Sequence, residues 1–287
     1  MVIHDLQNEI RETLRKSRIE AYSLETSLLL QHVLACDRQW LLLHRQEQLT
    51  AEQEGWARSL ARRRAEGIPL QYLLGSWEFY GLEFEVGEGV LIPRPDTERL
   101  CDIAIEQIGE RPAVVADLCA GSGCVAAAVQ CACAQAQMFA VELSELALPY
   151  LRRNLARNAP QVTVIEGDVL SGDTPGLLPQ LDAILSNPPY LTAEDMEHLQ
   201  REVRHEPALA LYGEEDGLGF YRGITQLWKH RLRPGGLLAY EIGINQHTAV
   251  AKILRENGFS RIQYAEDLHG VIRVVYGFTN KEENHGG

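Results

Sequence analysis

The pentapeptide Ser-Asn-Pro-Pro-Tyr carries the residues of this chain that are best suited to chemistry. It follows an apolar run at 181–185 that predicts a strand, and Pro188 and Pro189 end that strand because proline cannot donate to a strand ladder. Asn187 offers a side-chain carbonyl acceptor, the Pro188 carbonyl offers a second, and Tyr190 offers a flat apolar face. Two acceptors that converge on one point suit an –NH2 group. The motif therefore predicts a rigid corner that aims the lone pair of a planar substrate nitrogen at an electrophile.

A glycine-containing turn between a predicted strand and a predicted helix is the second chemical feature. The strand at 113–118 carries Asp117 near its end, and Gly121 and Gly123 lie in the turn that follows. Glycines let a ligand approach the backbone, and the N-terminus of the next helix presents free N–H groups. Ala126 leaves the G-x-G-x-x-G pattern of dinucleotide-binding proteins incomplete. A tight turn that binds nothing is the alternative interpretation.

Two acidic residues follow the next two predicted strands. Glu142 comes 19 residues after Gly123, and Asp168 follows the third strand. A carboxylate at the tip of the second strand can accept both hydroxyls of a ribose, and Asp168 can accept from an adenine amino group. The alternative for Asp168 is an ordinary turn residue. Because parallel strands end at one edge of a sheet, these residues predict a nucleoside-binding site there.

The charge of the chain disfavours nucleic acid as a direct substrate. The net charge is −13, and residues 1–75 hold ten basic and ten acidic residues, so the whole excess lies in residues 76–287. Proteins that grip duplex DNA usually present a basic face. We therefore expect no direct nucleic-acid partner. No apolar window reaches the length of a membrane span and acids occur by the fifth residue, so a cytoplasmic protein without a membrane partner is expected.

The cysteines and histidines predict no metal site. The six cysteines contain no C-x-x-C pair and no adjacent histidine tract, which favours reduced, mostly buried thiols. His198 and His205 lie near the proline corner in sequence, but both are predicted to be surface residues of helices rather than bases.

Residues 1–67 predict helices only. Ser23 is a candidate N-cap for the helix that follows it, and Thr50 with Gln53 forms a candidate capping box. Gly67 is a candidate helix stop. The three arginines at 62–64 are a candidate partner patch, but a solvated helix face is the favoured interpretation.

From residue 76 onward the pattern changes to strands. Residues 76–92 alternate apolar and polar around Tyr80-Gly81, which predicts a hairpin, and residues 93–98 open a helix. Strand and helix patterns then alternate. The predicted strands are 113–118, 138–143, 162–167, 181–186, 236–242, 261–265 and 271–278. This alternation predicts an α/β fold with a doubly wound, mostly parallel seven-stranded sheet whose last two strands form an antiparallel edge hairpin.

The predicted organisation has four parts. They are a helical domain at 1–75, a hairpin linker at 76–95, an α/β domain at 96–280 and a disordered tail at 281–287.

In combination, the motifs resemble the Rossmann-like, S-adenosylmethionine-dependent methyltransferases that modify amide or exocyclic nitrogens. The whole chain resembles the bacterial release factor glutamine methyltransferases. The landmarks that carry this resemblance occur in order: VLIPRPDTE at 90–98, DLCAGSG at 117–123, SNPPY at 186–190, EPALALYGEEDGLGFYR at 206–222, LRPGGLLAYEIG at 232–243 and DLHGVIRVVYG at 267–277. The helical N-terminal part resembles the substrate-docking domain of that family.

This resemblance implies the activity and the roles of the residues. The methyl donor S-adenosylmethionine, whose product is S-adenosylhomocysteine, would transfer its methyl group to N5 of the glutamine in the GGQ motif of peptide-chain release factors. The catalytic residues would be Asn187, Pro188, Pro189 and Tyr190. The donor would contact Asp117, Cys119, Ala120, Gly121, Ser122, Gly123, Glu142, Leu143, Asp168, Val169 and Asn187. The enzyme is expected to be a monomer.

The chain departs from the family pattern at four positions. Cys119 and Ala120 replace the usual Gly and Thr, and a Cβ at position 119 makes a positive φ costly. Glu142 stands where Asp is common, and Glu214 replaces a frequent glycine. Arg94 is expected either to contact the partner or the pocket rim, or to serve only the hairpin-to-helix junction.

Two other functions fit parts of the pattern. A nucleic-acid amino-methyltransferase, such as an N6-adenine methylase, would use the same Asn-Pro-Pro-Tyr pocket. A nucleotide-binding scaffold without chemistry would leave that motif unexplained.

Overall fold

The computed structural model describes residues 1–280, and the predicted disordered tail at 281–287 lies outside the described residues. The chain divides into two compact units. The first contains Met1–Ser76 and Gln200–His205, and the second contains Trp77–Leu199 and the described residues from Glu206 onward. Within residues 1–280, no helix combines the length and the apolar composition needed to cross a bilayer.

The first unit is helical. Its helices are α1 (Ile3–Lys16), α2 (Tyr22–Leu34), α3 (Arg38–Leu43), α4 (Ala51–Ala65) and α5 (Leu70–Leu74). Buried residues of α1 recur at helical spacing, and this apolar stripe packs into a core shared with the other helices. The stripe consists of Ile3, Leu6, Ile10 and Leu14.

One of the two predicted helix caps is correct. The Thr50 hydroxyl accepts from the Gln53 backbone N–H at 3.2 Å, and the Gln53 side chain accepts from the Thr50 N–H at 3.0 Å, which confirms the capping box. The predicted Ser23 cap is wrong. Helix α2 already begins at Tyr22 with Ala21 at the N-cap, and the backbone N–H of Glu25 bonds to the Ala21 carbonyl, so Ser23 lies inside the first turn.

The interpretation of the three arginines as a solvated face is wrong for Arg64. Arg62 and Arg63 are exposed, but Arg64 is only 3% exposed. Its guanidinium donates to both carboxylate oxygens of the buried Glu25, at 2.6 and 3.0 Å, and also to Glu202. Since successive residues of a helix are rotated by about 100°, adjacent arginines face different environments. The pair links α2 to α4 inside the first unit.

Breaking this buried pair should destabilise the protein strongly. Arg64→Ala leaves Glu25 buried without its counter-charge, which costs about 3–5 kcal/mol of unfolding free energy. Urea unfolding of the full chain, followed by tryptophan fluorescence, measures this loss.

Two further variants distinguish the loss of the Glu25–Arg64 ion pair from nonspecific effects of a substitution. Arg63→Ala is the matched control and should change the unfolding free energy by less than about 0.5 kcal/mol. The double variant Glu25→Leu/Arg64→Met should recover most of the loss because apolar side chains carry no desolvation penalty. Equal effects of Arg64→Ala and Arg63→Ala would contradict a structural role for the pair.

A short hairpin opens the second part of the chain. Strands β1 (Ser76–Phe79) and β2 (Leu82–Glu85) pair through a turn in which Tyr80 and Gly81 both have positive φ, as in two-residue hairpins with a type I′ turn. The hairpin is therefore confirmed, but it ends at Glu85 rather than at 92. A 3-10 turn at Pro95–Thr97 then leads into α6 (Glu98–Ile108).

The main sheet of residues 1–280 has seven strands in the order β5-β4-β3-β6-β7-β9-β8. Pairs from β5 to β7 are parallel, and β9 is antiparallel to both β7 and β8. The predicted doubly wound α/β fold with an antiparallel edge hairpin is confirmed. The strands are β3 (Ala113–Leu118), β4 (Ala136–Glu142), β5 (Thr163–Glu166), β6 (Leu181–Ser186), β7 (Leu232–Glu241), β8 (Ser260–Glu266) and β9 (Ile272–Phe278).

Helices cover both faces of this sheet. Besides α6, the helices of this unit are α7 (Cys124–Ala132), α8 (Leu148–Asn158), α9 (Ala193–Glu197), α10 (Gly219–Trp228) and α11 (His247–Glu256). One buried cluster joins the sheet to α6, α7 and α8, and a second joins it to α10 and α11. The strand order reverses between β3 and β6. In open α/β sheets, the crevice at such a reversal, beyond the carboxyl ends of the strands, is where ligands bind.

Candidate active site

A cavity of about 280 Å³ lies at the carboxyl ends of the central strands. Its walls come from the ends of β3, β4, β5 and β6 and the loops that follow them, from Gly89 and Leu91 before α6, and from residues between 207 and 220. Most of the predicted site residues meet here: Cys119, Gly121, Glu142, Leu143, Asp168, Val169, Asn187 and Pro189 all line the cavity. Residues separated by up to 70 positions in sequence therefore share one chamber because parallel strands end together.

The loop after β3 is built from left-handed residues. Cys119 has φ 64°, Gly121 has φ 54° and Gly123 has φ 83°. Cys119 thus adopts the conformation that costs a non-glycine residue about 1–2 kcal/mol, and the loop retains the shape that the usual glycine would give it. At Gly123 the positive φ favours glycine, and a Cβ would lie 2.7 Å from a methyl group of Leu151 in α8, which would have to move.

Glu142 is held rigidly by backbone donors. Its carboxylate accepts from the N–H groups of Gly121 at 2.7 Å, Leu143 at 2.9 Å and Ser144 at 2.7 Å. A carboxylate has about four acceptor positions, so its two oxygens keep some capacity for a ligand. The Gly121 bond also fixes the β3 loop against the end of β4. Glu142 therefore both shapes the cavity and presents an acceptor to it.

Asp168 has a structural contact of its own. One carboxylate oxygen accepts from the Leu170 N–H at 2.8 Å, which makes it a turn residue, while the residue also lines the cavity. The neighbouring Val169 is buried, and its carbonyl accepts from the Trp228 indole at 2.9 Å. The interpretation of Asp168 as a turn residue and its interpretation as a ligand-binding residue thus both have a structural basis.

A smaller cavity of about 40 Å³ shares Cys119, Gly121 and Asn187 with the larger one. Of the four other residues predicted to contact the methyl donor, Asp117, Ala120 and Ser122 line this smaller cavity, and Gly123 lines neither cavity. Asp117 is 1% exposed and accepts from the Ala126 N–H at 3.1 Å in the first turn of α7. Burial raises the pKa of Asp117 to about 8, in spite of this hydrogen bond.

Asn187 is the residue common to both cavities and the proline corner. Its side-chain Nδ2 donates to the Thr97 hydroxyl at 3.3 Å, so the amide carbonyl points elsewhere. Pro188 and Pro189 are buried, which keeps the corner rigid. Immediately before it, the Ser186 hydroxyl donates to the Leu118 carbonyl at 2.7 Å and ties the end of β6 to the end of β3.

Gln246 holds the proline corner in place through side-chain hydrogen bonds. Its Nε2 donates to the Tyr190 carbonyl at 3.0 Å and to the Gly217 carbonyl at 3.3 Å. Its Oε1 accepts from the Gly243 N–H at 2.9 Å and from the Tyr221 hydroxyl at 3.2 Å. Burial raises the pKa of Tyr190 well above its ordinary value, so its phenol stays protonated. Sequence reasoning missed Gln246 because it lies 56 residues from Tyr190.

The segment that carries Glu214 packs against the corner at van der Waals distance. A Cβ at Gly217 would lie 2.4 Å from the Tyr190 carbonyl, so only glycine fits there. Glu214 has φ 71°, which explains why glycine suits that position and why glutamate is an unusual choice.

Arg94 is held by a residue that the sequence did not single out. Glu206 is 6% exposed, forms an ion pair with Arg94 and accepts from the Ile92 N–H at 3.0 Å. The pair ties the segment before α6 to the segment that follows residue 205. His198 is exposed, with Nδ1 2.9 Å from the Glu194 carbonyl oxygen, and His205 is also exposed.

The chain matches two family models. Residues 5–75 match the PrmC N-terminal domain, and residues 101–207 match the methyltransferase small domain. A solved structure of a 16S rRNA N2 G1207 methyltransferase from T. thermophilus, in complex with AdoMet and guanosine, aligns with a TM-score of 0.51 at 20% identity. The alignment covers 71% of this chain and 50% of that chain, and shows a common fold.

Curated relatives match almost the whole chain. The release factor glutamine methyltransferase of Geobacter sulfurreducens is 40% identical over 270 residues, which cover 93% of each protein. That of Thermodesulfovibrio yellowstonii is 36% identical over 277 residues, which cover 93% of this chain and 96% of the relative. By this similarity, which extends over both units, the chain belongs to the release factor glutamine methyltransferase family.

Proposed function

We propose that this protein transfers a methyl group from S-adenosylmethionine to the side-chain N5 of the glutamine in the GGQ motif of a peptide-chain release factor. One observation carries the proposal. Asn187 lies on the wall of a cavity that also contains the Gly121 loop and the Glu142 carboxylate. The proposed amide-binding corner and the proposed nucleoside cradle would therefore share one chamber, as transfer between two bound molecules requires.

The cavity suits the methyl donor. The Glu142 oxygens have acceptor capacity left for the ribose hydroxyls, and the second oxygen of Asp168 has capacity for an adenine amino group. Gly121 has open space where a Cβ would stand, so a ligand can approach the loop backbone. When bound, the donor supplies an electrophilic methyl group on a sulfonium. Asp117, Cys119, Ala120, Ser122 and Gly123 complete the proposed cradle, with Leu143 and Val169 as apolar walls.

The proline corner would prepare the substrate nitrogen. An amide lone pair is delocalised and therefore a weak nucleophile. Asn187 Oδ1 and the Pro188 carbonyl would accept its two hydrogens, and Tyr190 would pack against the amide plane. Fixed placement of two reactants can supply about 7–11 kcal/mol of the barrier in favourable cases. No base is needed before attack because the cationic product nitrogen loses its proton readily.

The helical domain, residues 1–75, would dock the release factor. Leu42 and Leu43 on α3 are 57% and 74% exposed, and adjacent exposed leucines are suited to an apolar partner surface. The proposal takes the enzyme to act as a monomer in the cytoplasm, on protein rather than on nucleic acid.

Mass spectrometry of the products tests the activity. A release factor incubated with the enzyme and donor should gain one methyl group on the GGQ glutamine. A release factor with Gln→Ala in that motif should gain none. Transfer of label to DNA or RNA but not to protein would instead indicate a nucleic-acid amino-methyltransferase. Absence of donor binding would indicate a scaffold without chemistry.

Asn187→Ala should abolish methyl transfer while leaving donor affinity within about threefold. The substitution removes an acceptor for the substrate amide but none of the carboxylates that face the donor. Transfer from radiolabelled donor and calorimetric titration with S-adenosylhomocysteine measure the two quantities. Asn8→Ala, at an exposed position of α1, is the matched control and should behave as wild type. Normal transfer by Asn187→Ala would refute the role of the corner.

Glu142→Ala should weaken donor binding by about 10- to 150-fold. This range corresponds to the roughly 1.5–3 kcal/mol of a hydrogen bond to a charged group. The substitution also leaves the N–H groups of Gly121, Leu143 and Ser144 without their acceptor. Calorimetry with S-adenosylhomocysteine measures the affinity, and the exposed Glu145→Ala serves as the control. Equal affinities for the two variants would exclude Glu142 from the donor site.

Leu43→Glu should raise KM for an intact release factor by at least about tenfold without changing kcat. The charge would lie where we propose an apolar partner surface, and α3 is remote in sequence from the chemical residues. A short GGQ peptide, which lacks the rest of the release factor surface, should be methylated at the same rate by the variant and the wild type. A parallel loss with the peptide would contradict the docking role.

A further inference from the structure

The turn between β8 and β9 presents a leucine entirely to solvent. Leu268 is 103% exposed. It belongs to the segment at 267–277, which is one of the landmarks of the family resemblance, and the mechanism proposed above uses no residue of that segment. A single exposed leucine is common on protein surfaces, so the conformation and the position of this turn decide whether Leu268 has a role.

Asp267 holds the turn in one conformation. Its Oδ1 accepts from the backbone N–H groups of His269 at 2.8 Å and Val271 at 3.0 Å. Its own N–H donates to the Val271 carbonyl at 2.8 Å, and its Oδ2 accepts from Arg273 Nε at 3.1 Å. Leu268 therefore stands on an ordered backbone, and a partner that covers it causes little further loss of conformational entropy.

The register of the sheet places this turn beside the proline corner. Ser186, at the end of β6, pairs with Tyr240 of β7. The next residue of β7, Glu241, pairs with Val274 of β9. Because β9 is antiparallel to β7, the residues before Val274 extend beyond the carboxyl end of β7, at the edge that carries the cavity. Neighbouring strands are about 4.8 Å apart, so two strand intervals separate the turn from the corner by about 10 Å.

An ion pair connects the turn to the segment that contacts the corner. Arg273, which bonds to the turn through Nε, places Nη2 3.0 Å from Oδ2 of Asp96. Asp96 lies in the 3-10 turn Pro95–Thr97, and the Thr97 hydroxyl accepts from Asn187 Nδ2 at 3.3 Å. The position of the β8–β9 turn relative to the corner is therefore fixed by side-chain contacts as well as by the sheet.

A second exposed apolar residue lies at the same edge. Ile244, on the loop after β7, is 62% exposed. The N–H of Ile242 donates to the Arg273 carbonyl at 2.9 Å, so this loop leaves the sheet next to the beginning of β9. Apolar side chains at this edge suit a protein surface better than the charged backbone of a nucleic acid.

We propose that the β8–β9 turn, with Leu268 as its apolar contact, is a docking surface for the part of the release factor that surrounds the GGQ glutamine. This inference rests on the proposed function and adds a contact to the one proposed for α3. A protein that inserts a side chain into the cavity must lay its surrounding surface against this edge. An ordinary interface covers about 800 Å² of each partner, which is a patch of about 16 Å radius, so a turn about 10 Å from the corner falls inside it.

Leu268→Glu tests the surface with two substrates. We expect it to raise KM for an intact release factor at least about tenfold, because a charge would replace a leucine that the complex covers. The kcat and the affinity for S-adenosylhomocysteine should stay within about threefold of wild type. A short GGQ peptide lacks the surface that would cover Leu268, so the variant and the wild type should methylate it equally. Equal KM values of the two enzymes for the intact release factor would overturn the inference.

Two further variants control for exposure and for charge. Leu177 is 61% exposed and lies on the 3-10 turn Thr174–Leu177 before β6, at the opposite edge of the sheet. Leu177→Glu should therefore leave KM within about twofold of wild type. Leu268→Ser removes the apolar side chain without adding a charge and should raise KM at least about threefold. A rise with Leu177→Glu as large as with Leu268→Glu, or no rise with Leu268→Ser, would overturn the inference.

A second copy of the chain is the competing occupant of this surface. Sedimentation of the wild type and of Leu268→Glu should show the same monomeric species. A wild-type dimer that Leu268→Glu dissociates would overturn the inference, because the turn would then contact another copy.

Failure of the docking surface can be distinguished from failure of the proposed function. If the wild type methylates neither the intact release factor nor the peptide, the function is wrong and the docking surface fails with it. If the wild type methylates both and Leu268→Glu has the same KM for the intact factor, only the docking surface is wrong.

Discussion

The parallel pairing of β3 with β6 is the constraint on which the site depends. Their register places Ser186 beside Leu118, and the Ser186 hydroxyl closes the pair with a bond to the Leu118 carbonyl. The glycine loop and the proline corner therefore begin at the same level of one sheet edge. Chemical groups from two distant parts of the sequence then need only short loops to face each other. A shift of one residue in this register would turn every side chain of β6 to the opposite face.

The site obtains its rigidity from several hydrogen bonds made by each of its bracing side chains. Glu142 binds three backbone N–H groups, and Gln246 makes four hydrogen bonds that join the corner to the segments around Gly217 and Gly243. Groups held in this way do not have to be ordered when ligands arrive, so the entropy of ordering them is lost on folding rather than on binding. The left-handed Cys119 belongs to the same arrangement. Its backbone strain persists because the neighbouring strands and loops determine the course of the chain.

Sequence patterns predicted the fold and eight of the nineteen residues that line the larger cavity, but not the contacts that brace it. Alternation of strand and helix periods was sufficient for the sheet, and the Thr50 capping box depends only on residues three positions apart. Ser23 failed as a cap because the helix starts earlier, at Tyr22, and its N-cap residue Ala21 has no side-chain signal. Arg64 looked like its exposed neighbours because local charge does not show which helix face is buried. Gln246 and Glu206 were missed because their partners are 56 and 112 residues away.

The orientation of Asn187 has a consequence for the choice between an amide and an acid. With Nδ2 engaged by Thr97, the group left facing the chamber is an oxygen with lone pairs. A glutamate side chain would bring its own lone pairs and a negative charge to that oxygen, with no hydrogen to share. In the proposed role of Asn187, the resulting repulsion would discriminate against a carboxylate of nearly identical shape. Selectivity for the neutral side chain would then follow from the direction in which one amide points.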